Sequence, residues 1–98
     1  MNTLLKSDEF DAWLSVLKDR IAKARIIHRI RAAEQGNFGD SKPVGEGVHE
    51  MRVHVGPGYR LYYTRRAGTV YWLLVGGDKS SQQRDIEMAI QMAKILKE

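Results

Sequence analysis

Arg52, His54 and Arg60, with Glu50 just before them and Lys79 further along, are the residues whose types and spacing could do chemistry. A guanidinium presents a rigid fork of donors that matches a phosphate bidentately, and it stabilises charge that builds on phosphoryl oxygens during transfer. A histidine titrates near neutral pH and can move a proton during phosphodiester cleavage. Glu50 is either a general base or the counter-ion of Arg52. Each residue also has a plainer reading. An Arg–Glu surface pair contributes under about 1 kcal/mol. A lone strand histidine is commonly half-exposed filler, and His54 stands out only because of the arginines beside it. His49 falls on the opposite face by parity and His28 lies on a basic helix, so both read as structural or solvated. Three histidines so dispersed do not form a metal site.

These side chains need a sheet to bring them together, and the sequence supplies three strands in a row. Val48 to Val55 alternates, with Met51, Val53 and Val55 on one face and Glu50, Arg52 and His54 on the other. Gly56-Pro57-Gly58 is a turn. Tyr59 to Arg65 alternates again, Leu61 and Tyr63 opposing Arg60, Tyr62 and Thr64. After a second turn at Arg65 to Gly68, Val70 to Val75 is an unbroken apolar run, as a strand covered on both faces would be. The meander therefore gathers Glu50, Arg52, His54, Arg60 and Tyr62 on one face. Arg52 and Arg60 should be cross-strand neighbours, and like charges so placed are destabilising unless Glu50 or an anionic ligand compensates. Tyr59, Tyr62 and Tyr71 could stack on bases, or simply pack.

Around the meander, Asn2 to Lys6 reads as a short first strand. Ser7-Asp8-Glu9 opens a helix with a capping oxygen and first-turn acids. Phe10, Trp13, Leu14, Leu17, Ile21 and Ala24 form one apolar stripe. Asp19 caps a second helix running to Gln35, with Ala22, Ile26, Ile30 and Ala33 in register, and Gly36-Asn37 stops it. Residues 37–47, rich in glycine, proline and aspartate signals, read as a loop. Ser80 to Leu96 closes the chain as an amphipathic helix burying Ile86, Ala89, Ile90, Ala93 and Leu96, with Met88, Met92 and Ile95 widening its stripe. The expected class is α+β with a mostly antiparallel sheet. Lys18, Arg20, Lys23, Arg25, Arg29 and Arg31 crowd the second helix and its approach with Asp19 as the single acid among them. They read as a positive ridge, either a phosphate-backbone contact or a solvated face. Gly76-Gly77-Asp78-Lys79 joins strand to helix, where a phosphate could sit at the helix start. Its glycines match neither a P-loop nor a dinucleotide fingerprint. Lys79 is an unfavourable cation at the positive end of a helix, offset by Asp78 or kept to meet an anion.

At 98 residues the chain is expected to be a single domain, 1–98, around one core. Its 43% hydrophobic and 29% charged content is that of a folded rather than a disordered chain. The lack of cysteine removes disulfides and thiolate metal sites and suits a reducing cytoplasm. No apolar run approaches the roughly 18 residues of a membrane span, and Met1 to Lys6 is too short for a signal peptide. A formal charge of +4 points toward an anionic partner.

The segments FDAWLSVLKDRIAKARI, GNFGDSKPVGEGVHEMRV, GPGYRLYY and LLVGGDKSSQQRDIEMA give nearly the whole chain a resemblance to the RelE/ParE superfamily of toxin–antitoxin toxins. It is most similar to the small HigB-like group known as addiction module killer proteins. The resemblance implies a RelE-like fold: a short N-terminal strand, a two-helix hairpin, a three-stranded antiparallel meander and a C-terminal helix. It also implies a cytoplasmic, ribosome-dependent mRNA interferase of a type II system, needing no metal or other cofactor. A cognate antitoxin, often a helix-turn-helix protein, would neutralise it. Arg60 in GYRLYY matches an arginine of the RNA-cleaving members. Arg52, His54 and Lys79 fall where those members carry basic residues. The C-terminal tyrosine or histidine that several members use has no counterpart, which leaves proton transfer open between Glu50 and His54. The runner-up is a ParE-like poison of DNA gyrase, which acts by binding and whose fold is too similar to be told apart by fold alone, and a third reading is a non-toxic interaction domain of the same fold. The basic cluster favours the nuclease.

Overall fold

In the computed structural model, which describes residues 1–96, the chain begins with strand β1 (Thr3–Lys6) and helices α1 (Asp8–Val16) and α2 (Arg20–Glu34). Four strands follow, β2 (Ser41–Gly45), β3 (Val48–Val53), β4 (Tyr59–Ala67) and β5 (Val70–Asp78). One turn of 3-10 helix (Lys79–Ser81) then leads into α3 (Gln82–Leu96). The strands form one sheet in the order β1-β5-β4-β3-β2. β2 to β5 are an antiparallel meander, and β1 joins the far edge parallel to β5. The α+β class and the helix hairpin expected from the sequence are present, in an arrangement compatible with a RelE-like fold.

Both faces of the sheet are covered. Phe10 of α1 and Ala22, Ile26, Ile30 and Ala33 of α2 pack on Met51, Val53, Leu61 and Leu73. Ala89 and Ala93 of α3 pack on Val48, Tyr62, Leu74 and Val75 from the other side. The register slips by one residue at Leu74, since Tyr62 pairs with Val75 and Tyr63 with Leu73. This bulge turns Leu74 and Val75 both toward α3 and resets the alternation beyond them. Gly76 then faces α1 and Gly77 faces α3, as their would-be Cβ contacts show.

Three local expectations change. The segment read as a loop contains β2, because pairing with β3 decides a short edge strand that turn-prone residues disguise. Glu46 and Gly47 both have positive φ, at 49° and 83°, and make the two-residue hairpin turn whose twist suits such a pair. Pro43 sits on this outer strand, where a missing N–H costs least. Secondly, Ile21 and Ala24 are exposed rather than part of the core stripe. Leu17 is extended (ψ 118°) and Asp19 Oδ1 caps a fresh helix by accepting from Ala22 N at 3.0 Å, so the phase restarts and Ala22, Ile26 and Ile30 turn inward. Thirdly, Met88 and Ile95 of α3 point to solvent, at 43% and 69% exposure, while Met92 packs.

Candidate active site

β3 and β4 set Arg52 and Arg60 directly opposite one another, on the sheet face that carries α3. β3 ends at Val53, so His54 belongs to the turn after it and not to the strand the alternation suggested. Gly56 (φ 56°) and Gly58 (φ 83°) fold that turn back, and Gly58 N donates to Val55 O at 3.1 Å. Arg52, His54, residues 55–58, Arg60 and Lys79 together line a shallow cleft of about 460 Å³. Lys79 arrives there because Arg60 pairs with Gly77, two residues before it at the end of β5.

Each arginine is compensated in a different way. Arg60 is 13% exposed, and its Nε lies 3.6 Å from Oε2 of Glu50, which has no exposure at all. Glu50 Oε2 accepts from Gln82 Nε2 at 2.9 Å and from the Tyr62 hydroxyl at 3.3 Å. Burial, and then the negative Glu50, push the Tyr62 hydroxyl well above its ordinary value of 10.0. Arg60 Nη1 donates to Gly58 O at 3.2 Å, and its remaining donors have no hydrogen-bond partner among the described residues. Arg52 Nη2 donates to Asp40 Oδ1 at 3.1 Å, while the other oxygen of Asp40 lies 2.5 Å from His54 Nε2. The His54 hydrogen bond foremost, with Arg52 beside it, holds the Asp40 carboxyl below its ordinary value of 3.8. Lys79 is exposed and has no acidic partner among the described residues. Asp78 instead caps the 3-10 turn, accepting from Ser80 N at 2.8 Å and Ser80 Oγ at 2.5 Å, which holds its carboxyl below the ordinary range.

The geometry reassigns several residues. Glu50 is sealed beneath the sheet face and cannot reach a substrate hydroxyl, so it is a support for Arg60 and not a general base. Tyr62 is fully buried and Tyr59 nearly so, and Tyr71 packs with Phe38 and Tyr63, so none of the three offers a free ring to a base. The glycines of Gly76-Gly77 admit Trp13 and Asp85 rather than a phosphate: a Cβ on Gly77 would lie 1.9 Å from Asp85 Oδ2. The six cations at the second helix do not form one ridge. Arg29 turns inward, donating to Arg52 O and to Phe38 O at 3.0 Å. Lys23 reaches Ser15 O at 3.4 Å. Arg31 faces Lys6 and Leu14, whereas Arg25 borders Ile21, Ala24 and His28. Lys18 lies in the link between α1 and α2, and Arg20 opens α2.

Asp40 and Gln82 were hidden in the sequence. Asp40 reads there as a loop-former, and its role depends on β2, which brings residue 40 alongside Arg52 through the bond from Arg52 N to Asp40 O at 2.8 Å. Gln82 meets Glu50 across 32 positions, and no local signal announces such a contact.

Residues 12–97 match the family described as Phage derived protein Gp49-like (DUF891). The chain belongs to this family. The Gp49-like proteins are toxin–antitoxin toxins of RelE-like type, in keeping with the fold described above. An uncharacterized protein of Haemophilus influenzae (strain ATCC 51907 / DSM 11121 / KW20 / Rd) is 48% identical over 87 residues, covering 89% of this chain and 88% of the relative. Among the described residues of this Gp49-like chain, no helix is long and apolar enough to cross a membrane.

Proposed function

We propose that this Gp49-like protein is a HigB-like toxin of a type II toxin–antitoxin system, an endoribonuclease that cuts mRNA on the ribosome in the cytoplasm. The observation that carries the reading is the in-register pairing of Arg52 with Arg60 beside Lys79. Their mutual repulsion is relieved by acids that leave most guanidinium donors unoccupied. Asp40 is shared with His54, and Glu50 lies 3.6 Å from Arg60, beyond a hydrogen bond. An RNA phosphate supplies the acceptors that are missing.

In this mechanism the mRNA bends so that a 2′-oxygen attacks the adjacent phosphorus and the bond to the 5′-oxygen breaks. Products are a 2′,3′-cyclic phosphate and a 5′-hydroxyl end. Arg52, Arg60 and Lys79 stabilise charge on the phosphoryl oxygens. His54, in the cleft and 72% exposed, takes the proton of the 2′-hydroxyl, and the leaving oxygen acquires one from solvent. The exposed cations of α2 contact ribosomal RNA, and a cognate antitoxin, of helix-turn-helix type by the resemblance, covers the toxin when growth resumes.

Arg60→Ala tests the assignment. Growth arrest and mRNA cutting should fall by about 100-fold or more, the loss typical of removing a donor to the developing anion. Circular dichroism and antitoxin binding should stay unchanged, although the unfolding free energy drops because buried Glu50 loses its partner. A folded Arg60→Ala protein that still cuts mRNA refutes the site. Loss of DNA supercoiling before translation fails, on induction of the natural protein, refutes the nuclease.

A further inference from the structure

We propose that Asp40 is the positioning residue for His54, fixing which ring nitrogen carries the proton and holding the ring at the cleft. The inference rests on the nuclease reading and adds to it a residue outside the strands that carry the arginines.

His54 lies in a turn, largely exposed, and the described residues offer its ring a single hydrogen-bond partner, Asp40 Oδ2 at 2.5 Å from Nε2. An ionised carboxylate only accepts, so Nε2 must be the nitrogen that bears hydrogen. Nδ1 is then the unprotonated nitrogen available to the 2′-hydroxyl. Once Nδ1 has taken that proton, the adjacent carboxylate stabilises the imidazolium. This division of labour between a buried or tethered acid and a histidine recurs in unrelated hydrolases.

The backbone of Asp40 is itself held by two donors. Its carbonyl accepts from Arg52 N at 2.8 Å. Arg29, reaching out from α2, donates to Asp40 O at 3.5 Å and to Phe38 O at 3.0 Å. Between them Gly39 adopts φ +63°, and a Cβ there would lie 2.7 Å from the Arg29 guanidinium. An aspartate serving only solubility requires no such clamp. Its charge also has a cost, since an anion beside Arg52 opposes a phosphate in the same cleft. That opposition separates the positioning role from a purely structural one.

The test uses full-length Asp40→Asn and Asp40→Ala proteins, the first close to aspartate in shape. Ring nitrogen-15 shifts of His54 in its neutral form report the tautomer without reference to activity. They should show hydrogen on Nε2 in the natural protein and a mixture of tautomers in Asp40→Ala. For mRNA cleavage on programmed ribosomes, kcat should fall by about tenfold or more in both variants, while KM stays level or drops as an anion leaves the cleft. An unchanged tautomer overturns the proposal. So does a raised KM with unchanged kcat, the result expected if Asp40 merely props Arg52. A natural protein that cuts no RNA sinks the nuclease reading by itself, and the nitrogen-15 result then still decides whether Asp40 governs the ring.

Discussion

At the scale of single residues, the sheet face below the cleft is organised by an acid that never meets solvent. Glu50 has the strand parity and the chemistry of a base, and sequence alone could not tell it from a counter-ion. Burial decides, and burial at this position depends on Gln82 of α3 closing over it. Arg52 and Arg60 were legible because alternation and a hairpin are enough to place them opposite one another. Whether Tyr62 stacks on a base or packs was open in the sequence for the same cause as Glu50, since parity names a face but not what covers it, and burial decides for packing. A buried ion pair broken at one partner leaves an uncompensated charge, at a cost of about 3–5 kcal/mol. Glu50→Ala should therefore lower unfolding free energy in urea by about that amount, and Glu50→Gln, which keeps the shape, by less. Activity should fall alongside stability in both. A stable, inactive Glu50→Gln protein would instead revive Glu50 as the base.

Elements reach their positions through features that hydrophobic periodicity does not record. The starts of α1 and α2 were readable from Ser7 and Asp19, whose side chains accept from Phe10 N and Ala22 N. β2 was not, because Gly39, Asp40, Pro43 and Gly45 carry loop signals and the strand exists only through pairing. The bulge at Leu74 was also silent in the sequence, yet it decides which helix each glycine meets. α1 rests on β5 at Gly76, where a Cβ would lie 2.2 Å from the Trp13 ring. Gly76→Ala should thus force Trp13 off the sheet, destabilising the protein by about 1–3 kcal/mol as overpacked cores do. Thermal melting and Trp13 fluorescence will register the shift. An unaltered melting temperature would mean that α1 slides without loss, against the tight fit with Phe10 and Tyr59 around the same ring.

For the molecule as a whole, the question is which of its cations can meet one RNA strand together. The formal charge of +4 says that an anion is favoured but not where it lies. On α2, Arg25 and Arg29 are one turn apart, and Arg29 reaches the Arg52 carbonyl, so Arg25 shares the side of the helix from which Arg29 extends. Arg31 faces Lys6 and Leu14 on the other flank, away from Arg52 and Arg60. Binding of a single-stranded RNA should weaken with salt at a logarithmic slope of about −0.7 for each phosphate neutralised. Measured between about 50 and 200 mM salt, the slope should become shallower by about 0.7 in Lys79→Ala and in Arg25→Ala, and remain unchanged in Arg31→Ala. Equal changes in Arg25→Ala and Arg31→Ala would mean that the charge of α2 acts as a diffuse field. In that case the cleft would hold its phosphate without a defined path for the strand beyond it.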